Sequence, residues 1–212
     1  MTHPLNIAID GTFSSGKGTL SRRIAAHYGL ACLDTGKLYR AVARDVLAAG
    51  VSLAEGEQAA VIAAQIDPST LDDPYLKSGE IGAAASKVSV HPPVRAALLA
   101  FQRDFAAKGA VLDGRDIGTV ICPDADAKLF VTADPEVRAE RRYQELLGYG
   151  EDVTLAGVLS DLTERDHRDM NRRVAPLKPA VDAHLLDTTD LSIERAVSTA
   201  IRMIDAVLDA NA

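Results

Sequence analysis

The segment Gly11-Thr12-Phe13-Ser14-Ser15-Gly16-Lys17-Gly18-Thr19 constrains this chain more than any other, because it joins an apolar run to an amphipathic one. Leu5 to Asp10 predicts a β-strand, and Gly16 to Tyr28 predicts a helix that Gly29 stops. Between them, Gly11 and Gly16 let the backbone curl until successive N–H groups face one point. The helix N-terminus adds partial positive charge there, and Lys17 adds a compact cation. A strand, a glycine-rich bend, a lysine and a helix in this order form a P-loop, which assigns Gly11 to Thr19 to a nucleoside triphosphate such as ATP. Gly18 stands where the strict pattern has Ser or Thr, and the hydroxyl follows one residue later at Thr19.

The rest of the chain repeats the rhythm that the loop begins. Further strands are predicted at Leu30 to Asp34, Ala110 to Asp113, Ala127 to Thr132 and His184 to Thr188, with helices at Arg40 to Ala49 and Ser192 to Asp209. The last of these places Ile193, Val197, Ile201, Ile204 and Leu208 on one stripe. Five strands alternating with helices predict an α/β fold with a parallel sheet flanked by helices. At 212 residues the chain suits a single domain. Its core is expected over about 1–50, 94–147 and 180–212, interrupted by excursions at about 51–93 and about 148–179, the second rich in arginine. Loops leaving the carboxyl ends of parallel strands are placed to cover a ligand.

Charge and composition narrow the function further. A net charge of −7 argues against a nucleic-acid partner, whose capture needs a basic surface, but a small anion needs only a local cluster of donors. The segment Met1 to Asp10 lacks the basic start of a signal peptide, and no apolar run reaches the length of a membrane span. Cys32 and Cys122 lie in apolar surroundings without a CxxC or Cys/His pattern, so buried thiols of a cytoplasmic protein are expected. No long exposed apolar stripe stands out, and a monomer is expected.

Two clusters carry further chemistry. The strand Ala110-Val111-Leu112 ends in Asp113-Gly114-Arg115-Asp116-Ile117-Gly118-Thr119-Val120, and an acid at a strand end beside a P-loop suits orientation of Mg2+ or its waters. The run Glu164 to Arg173 would place Arg165, Arg168 and Arg172 within about 60° of arc on a helix, where three guanidinium groups can clamp phosphates. Asp161, Glu164 and Asp169, each four residues before an arginine, also fit a solvated face laced with ion pairs.

Taken together, the Asp113 to Val120 segment, Pro123-Asp124-Ala125, Asn171-Arg172 and Ala175-Pro176-Leu177-Lys178-Pro179-Ala180 resemble the bacterial cytidylate kinase family. Leu33-Asp34-Thr35-Gly36, Tyr39-Arg40 and the tail Asp187-Thr188-Thr189 to Glu194 belong to the same resemblance, which spans nearly the whole chain in order. It implies a nucleoside monophosphate kinase that transfers the γ-phosphoryl group of ATP to CMP and dCMP. The Gly-Lys-Gly-Thr form of the loop implies that Thr19 still faces phosphate or hydrated Mg2+. Ser86, Arg95 and Asp116 match positions that meet cytosine, and Arg165 and Asp169 match positions near the pentose. Arg40, Arg115, Arg165 and Arg172 match phosphate ligands, and Thr35 stands where the family often has Ser. Arg141 and Arg142 resemble residues of a lid on the ATP side, and Lys17, Asp113, Arg115, Arg165 and Arg172 form the implied catalytic set.

One departure concerns the acceptor side. The family carries a longer excursion with a small antiparallel sheet where this chain has only the short stretch from Ile66 to Ser86, and Pro68 to Glu80 contains no strand pair. Kinases for uridylate or for a non-nucleotide alcohol are the near alternatives, and a P-loop protein that senses nucleotide without transfer is the distant one. No Asn-Lys-x-Asp segment supports guanine binding.

Overall fold

A computed structural model describes residues 3–210. Five parallel strands, β1 (Asn6–Gly11), β2 (Ala31–Asp34), β3 (Ala110–Asp113), β4 (Ala127–Thr132) and β5 (His184–Asp187), form one sheet in the order β2-β3-β1-β4-β5. Every expected strand is present, with ends displaced by a residue at most. The pleat sends successive side chains to opposite faces, and both faces are covered. Ile7, Ile9, Val111, Leu129 and Val131 pack on one side, whereas Ala8, Ala110 and Leu112 pack on the other.

The helices are α1 (Lys17–Tyr28), α2 (Thr35–Ala48), α3 (Gly56–Ala63), α4 (Gly79–Val88), α5 (Pro92–Ala106), α6 (Pro135–Gly148), α7 (Leu155–Asn171) and α8 (Ile193–Ala210). Helices α1 and α8 cover the first face, and α8 does so through the expected stripe, with Val197 and Ile204 buried and Ile193, Ile201 and Leu208 packed at their edge. Helices α2 to α5 cover the second. Gly29 ends α1 at φ 67°, where its N–H donates to the Ala25 carbonyl.

Helix α2 starts at Thr35, five residues before the expected Arg40. Asp34, the last residue of β2, is itself the extended residue before the helix, so the chain passes from strand to helix without a loop. Gly36 permits this tight passage, since a Cβ there would lie 3.0 Å from the Asp34 carboxylate. A second correction concerns Cys32 and Cys122, which are free but half-buried, because each sits at the margin of a core cluster.

The excursion at 51–93 contains α3, two short 3-10 turns (Pro68–Asp72 and Pro74–Lys77) and α4, with no strand. Asp67 and Asp73 cap the two turns by accepting from the Ser69 and Tyr75 N–H groups. Lys37 and Arg44 of α2 then pair with Asp72 and Asp73 at 2.8 and 3.1 Å. The arginine-rich stretch folds as α7, which packs on α6 through Ala139, Leu146, Val158 and Leu162. No described helix is long and apolar enough to cross a membrane.

Candidate active site

Gly11 takes φ 146°, and a Cβ on it would fall 1.9 Å from the Val131 carbonyl oxygen, so only glycine lets the loop leave β1 against the backbone of β4. Thr12 N–H then donates to that carbonyl at 3.2 Å, and Gly16, at φ 88°, turns the chain into α1. Thr12 and Ser15 are buried behind the loop, with the Ser15 hydroxyl donating to the Thr12 carbonyl at 3.0 Å. Phe13, Ser14, Gly16, Lys17, Gly18 and Thr19 line a cavity of about 640 Å³ at the carboxyl end of the sheet. Lys17 is buried there and donates to the Thr12 carbonyl at 2.8 Å, spanning the loop.

The same cavity receives Arg40, Asp113, Arg115, Arg141, Arg142 and Arg165 from four different elements and the loop after β3. Most of these guanidinium groups are oriented by carbonyls. Arg40 donates to Leu76 O at 2.6 Å, Arg142 to Lys77 O at 3.2 Å, Arg141 to Thr188 O at 2.7 Å and Arg165 to Gly82 O at 3.3 Å. Arg115 pairs with Asp169. Burial, and then the like charge of Arg115, holds the pKa of Arg165 well below the usual arginine range. Crowding of this kind is relieved by an anion, so the cluster suits a transferring phosphoryl group.

Behind the cavity lies a buried ionic network. Asp116 accepts from Arg95 through one oxygen and from Arg172 through the other, the latter at 3.3 Å. Arg165, Arg168 and Arg172 therefore turn to three different partners in this structure. The helix ends at Asn171, the extended backbone of Arg172 turns it to Asp116, and Arg168 donates to the Ser86 hydroxyl, so that of these three Arg165 alone lines the cavity with the other arginines. The solvated ladder is mostly absent too, since only Glu164 and Arg168 pair, at 3.7 Å. Burial opposes ionisation of Asp169, yet Arg115, Arg165 and Arg172 together hold its carboxyl below the ordinary range. The Thr35 hydroxyl donates to the Asp113 carbonyl at 2.8 Å, which keeps an acceptor lone pair but ties the residue to β3.

Three acids stand at or next to strand ends here, Asp10, Asp34 and Asp113, and the sequence expectation names only Asp113. The rule that selected it, an apolar strand closing in an acid, applies equally to Asp10 and Asp34. Asp34 lies beside Asp113 in the β2/β3 register and lines the same cavity. Mg2+ bound to a triphosphate keeps waters and phosphate oxygens and needs only one or two protein carboxylates, so the Asp34 and Asp113 pair fits it. Burial pushes the Asp113 carboxyl up to about 7, and burial pushes the Lys17 ammonium down, each offset in part by the other. Arg138, also missed, carried no signal on the surface pattern of α6. It is buried, donates to the Phe13 carbonyl at 3.1 Å and pairs with Asp166 at 2.6 Å, so it joins α7 to the loop.

Asp10 links the two halves of the site. It is buried and accepts from the Ile117 and Gly118 N–H groups at 2.8 Å each, which holds the turn following Asp116 against the start of the P-loop. Burial pushes its carboxyl up to about 6, against the lowering effect of those two N–H groups. A carboxyl raised above its unfolded value stabilises the fold below about pH 4 and loses that contribution as pH rises through about 6. Asp10→Asn does not titrate. Its stability relative to the parent is therefore expected to improve by about 2–3 kcal/mol between pH 4 and pH 7, measured by denaturant unfolding at each pH.

Comparison with known proteins places the chain beside one family. The sequence model of the family described as cytidylate kinase matches residues 7–206. A cytidylate kinase of Rhodopseudomonas palustris is 59% identical over 203 residues, covering 95% of this chain and 96% of its own. One from Bradyrhizobium is 57% identical with the same coverage. Among solved structures, a gluconokinase from Sinorhizobium meliloti shares the fold, with a TM-score of 0.56 at 15% identity over 99% of this chain and 97% of the other.

Proposed function

Because this chain belongs to the cytidylate kinase family, we propose that it transfers the γ-phosphoryl group of ATP to CMP and dCMP, giving ADP and CDP or dCDP. The observation that carries this reading is the convergence of Lys17 and six arginines, Arg22, Arg40, Arg115, Arg141, Arg142 and Arg165, on one cavity, with a buried Asp116 behind it. One phosphate chain needs a single cradle, whereas two phosphate groups brought face to face need this density of cations.

ATP lies along Gly11 to Thr19, with Arg141 and Arg142 on its outer side. The acceptor phosphate meets Arg40, Arg115 and Arg165, and its base meets Ser86, Arg95 and Asp116, with Asp169 toward the pentose. Asp34, Asp113 and Thr19 are the residues that would hold Mg2+ or its waters, and the ion would supply neutralisation of phosphate charge there. The acceptor oxygen is already anionic, so the residues have no proton to remove. Lys17 and the arginines stabilise charge and align the two phosphates. Residues 51–93 act as the acceptor-binding excursion and 148–179 as a lid that excludes water. The reading includes a monomer acting in the cytoplasm on small nucleotides, without nucleic acid or membrane as a partner.

Asp116 gives a chemical reason for the base. Two of its four acceptor positions are taken by Arg95 and Arg172, and the others suit the exocyclic amine of cytosine. Uracil presents a carbonyl at that position, which would face a carboxylate. Incubation with ATP, Mg2+ and a panel of monophosphates, following ADP and diphosphate products, tests the reading. CMP and dCMP are expected to be turned over well ahead of UMP. Absence of acceptor-dependent ADP release would sink it.

A further inference from the structure

The Phe13 side chain lies among the arginines of the cavity. Its ring centroid is 4.0 Å from the guanidinium carbon of Arg165, 5.7 Å from that of Arg142 and 6.0 Å from that of Arg115. Two of these cations have acids of their own, Glu145 for Arg142 and Asp169 for Arg115. Arg165 forms no ion pair among the described residues, and its Nε is buried without a partner. One carbonyl, Gly82 O of α4, and the face of Phe13 are what orient it.

Phe13 is anchored as well. Its carbonyl accepts from Arg138, and its side chain packs against the α6/α7 core of Ala139, Leu146, Val158 and Leu162. Phe13 lines both the main cavity and a second one of about 230 Å³ that reaches Ser86 and Arg168. It therefore stands where the donor cradle meets the acceptor-side helix.

We propose that the Phe13 ring is a positioning residue for phosphoryl transfer, holding the otherwise unpaired Arg165 guanidinium between the phosphate cradle and α4 through its π face. The proposal rests on the cytidylate kinase reading above. A cation over a desolvated aromatic face is attracted by the ring quadrupole, and that attraction offsets the repulsion among neighbouring guanidinium groups without placing an anion where phosphate must go. An acid at this position would pair with Arg165 more strongly and would also compete with the substrate.

The test compares Phe13→Leu, which keeps apolar packing but removes the π face, with Phe13→Trp, which keeps it. Phe13→Leu is expected to lower kcat with CMP about tenfold or more, while binding of a non-hydrolysable ATP analogue stays within about twofold. Phe13→Trp is expected to recover most of the lost rate. In an Arg165→Ala background, Phe13→Leu is expected to cost less than about twofold, because the group it positions is gone. Equal kcat for the leucine variant and the parent would overturn the proposal, as would full additivity with Arg165→Ala or a tryptophan variant no faster than leucine. Failure of the parent to release ADP with CMP would overturn the function itself, and the proposal with it. An active parent isolates the Phe13 result.

Discussion

Lys17→Met is expected to lower kcat about a thousandfold and to weaken ATP binding about tenfold, measured by steady-state kinetics and by titration with a non-hydrolysable analogue. Methionine has a similar length without the ammonium, so the loss expected is of charge at the transferring group. The Lys17 ammonium also holds the loop together by donating to the Thr12 carbonyl. Its removal leaves Asp113 with less opposing charge, and burial already pushes that carboxyl up to about 7. Loss of the ammonium is expected to push the Asp113 carboxyl further in the same direction. A carboxyl with a raised folded pKa contributes stability at low pH and loses it as pH rises, so the variant's unfolding free energy is expected to keep falling past pH 7. Unfolding curves at pH 6 and pH 9 check this, and a deficit relative to the parent that shrank with rising pH would contradict the pairing of Lys17 with Asp113.

The sequence disclosed what rests on local chemistry. Gly11, Gly16 and Lys17 sit in a pattern whose conformation follows from the residues themselves, and the strands announce themselves because a parallel sheet buried on both faces demands continuous apolar runs. Long-range partnership was not legible. Arg165, Arg168 and Arg172 share a helical arc on paper, yet their destinations depend on Gly82, Ser86 and Asp116, residues that only the fold brings near. The i, i+4 pattern likewise suggested Asp169 for Arg173, but Asp169 faces inward and takes Arg115. The early start of α2 has no sequence signal because Asp34 serves at once as strand end and helix entry. Arg138 was invisible for the opposite reason, since a buried arginine on an amphipathic helix carries the same letter as an exposed one.

Those partnerships make Asp116 the position where recognition and stability meet. Asp116→Ala is expected to raise the KM for CMP about a hundredfold, with ATP affinity unchanged, and to lower the unfolding free energy by about 3 kcal/mol, because Arg95 and Arg172 are left buried without their counter-charge. Asp116→Asn separates the two effects. The amide keeps one acceptor and places an NH2 group in the network, so some of the ionic cost remains, but the new donor can meet the carbonyl that uracil presents where cytosine has its amine. The ratio of kcat/KM for UMP to that for CMP is therefore expected to rise about tenfold or more in the asparagine variant. Arg172→Ala provides the contrast. It removes one donor from Asp116 while leaving the carboxylate, so turnover of CMP should fall while the preference for cytosine persists. If the asparagine and alanine variants lost activity on CMP without any change in the relative use of UMP, Asp116 would be a strut beneath the site, and base choice would have to lie with Ser86 and the residues around it.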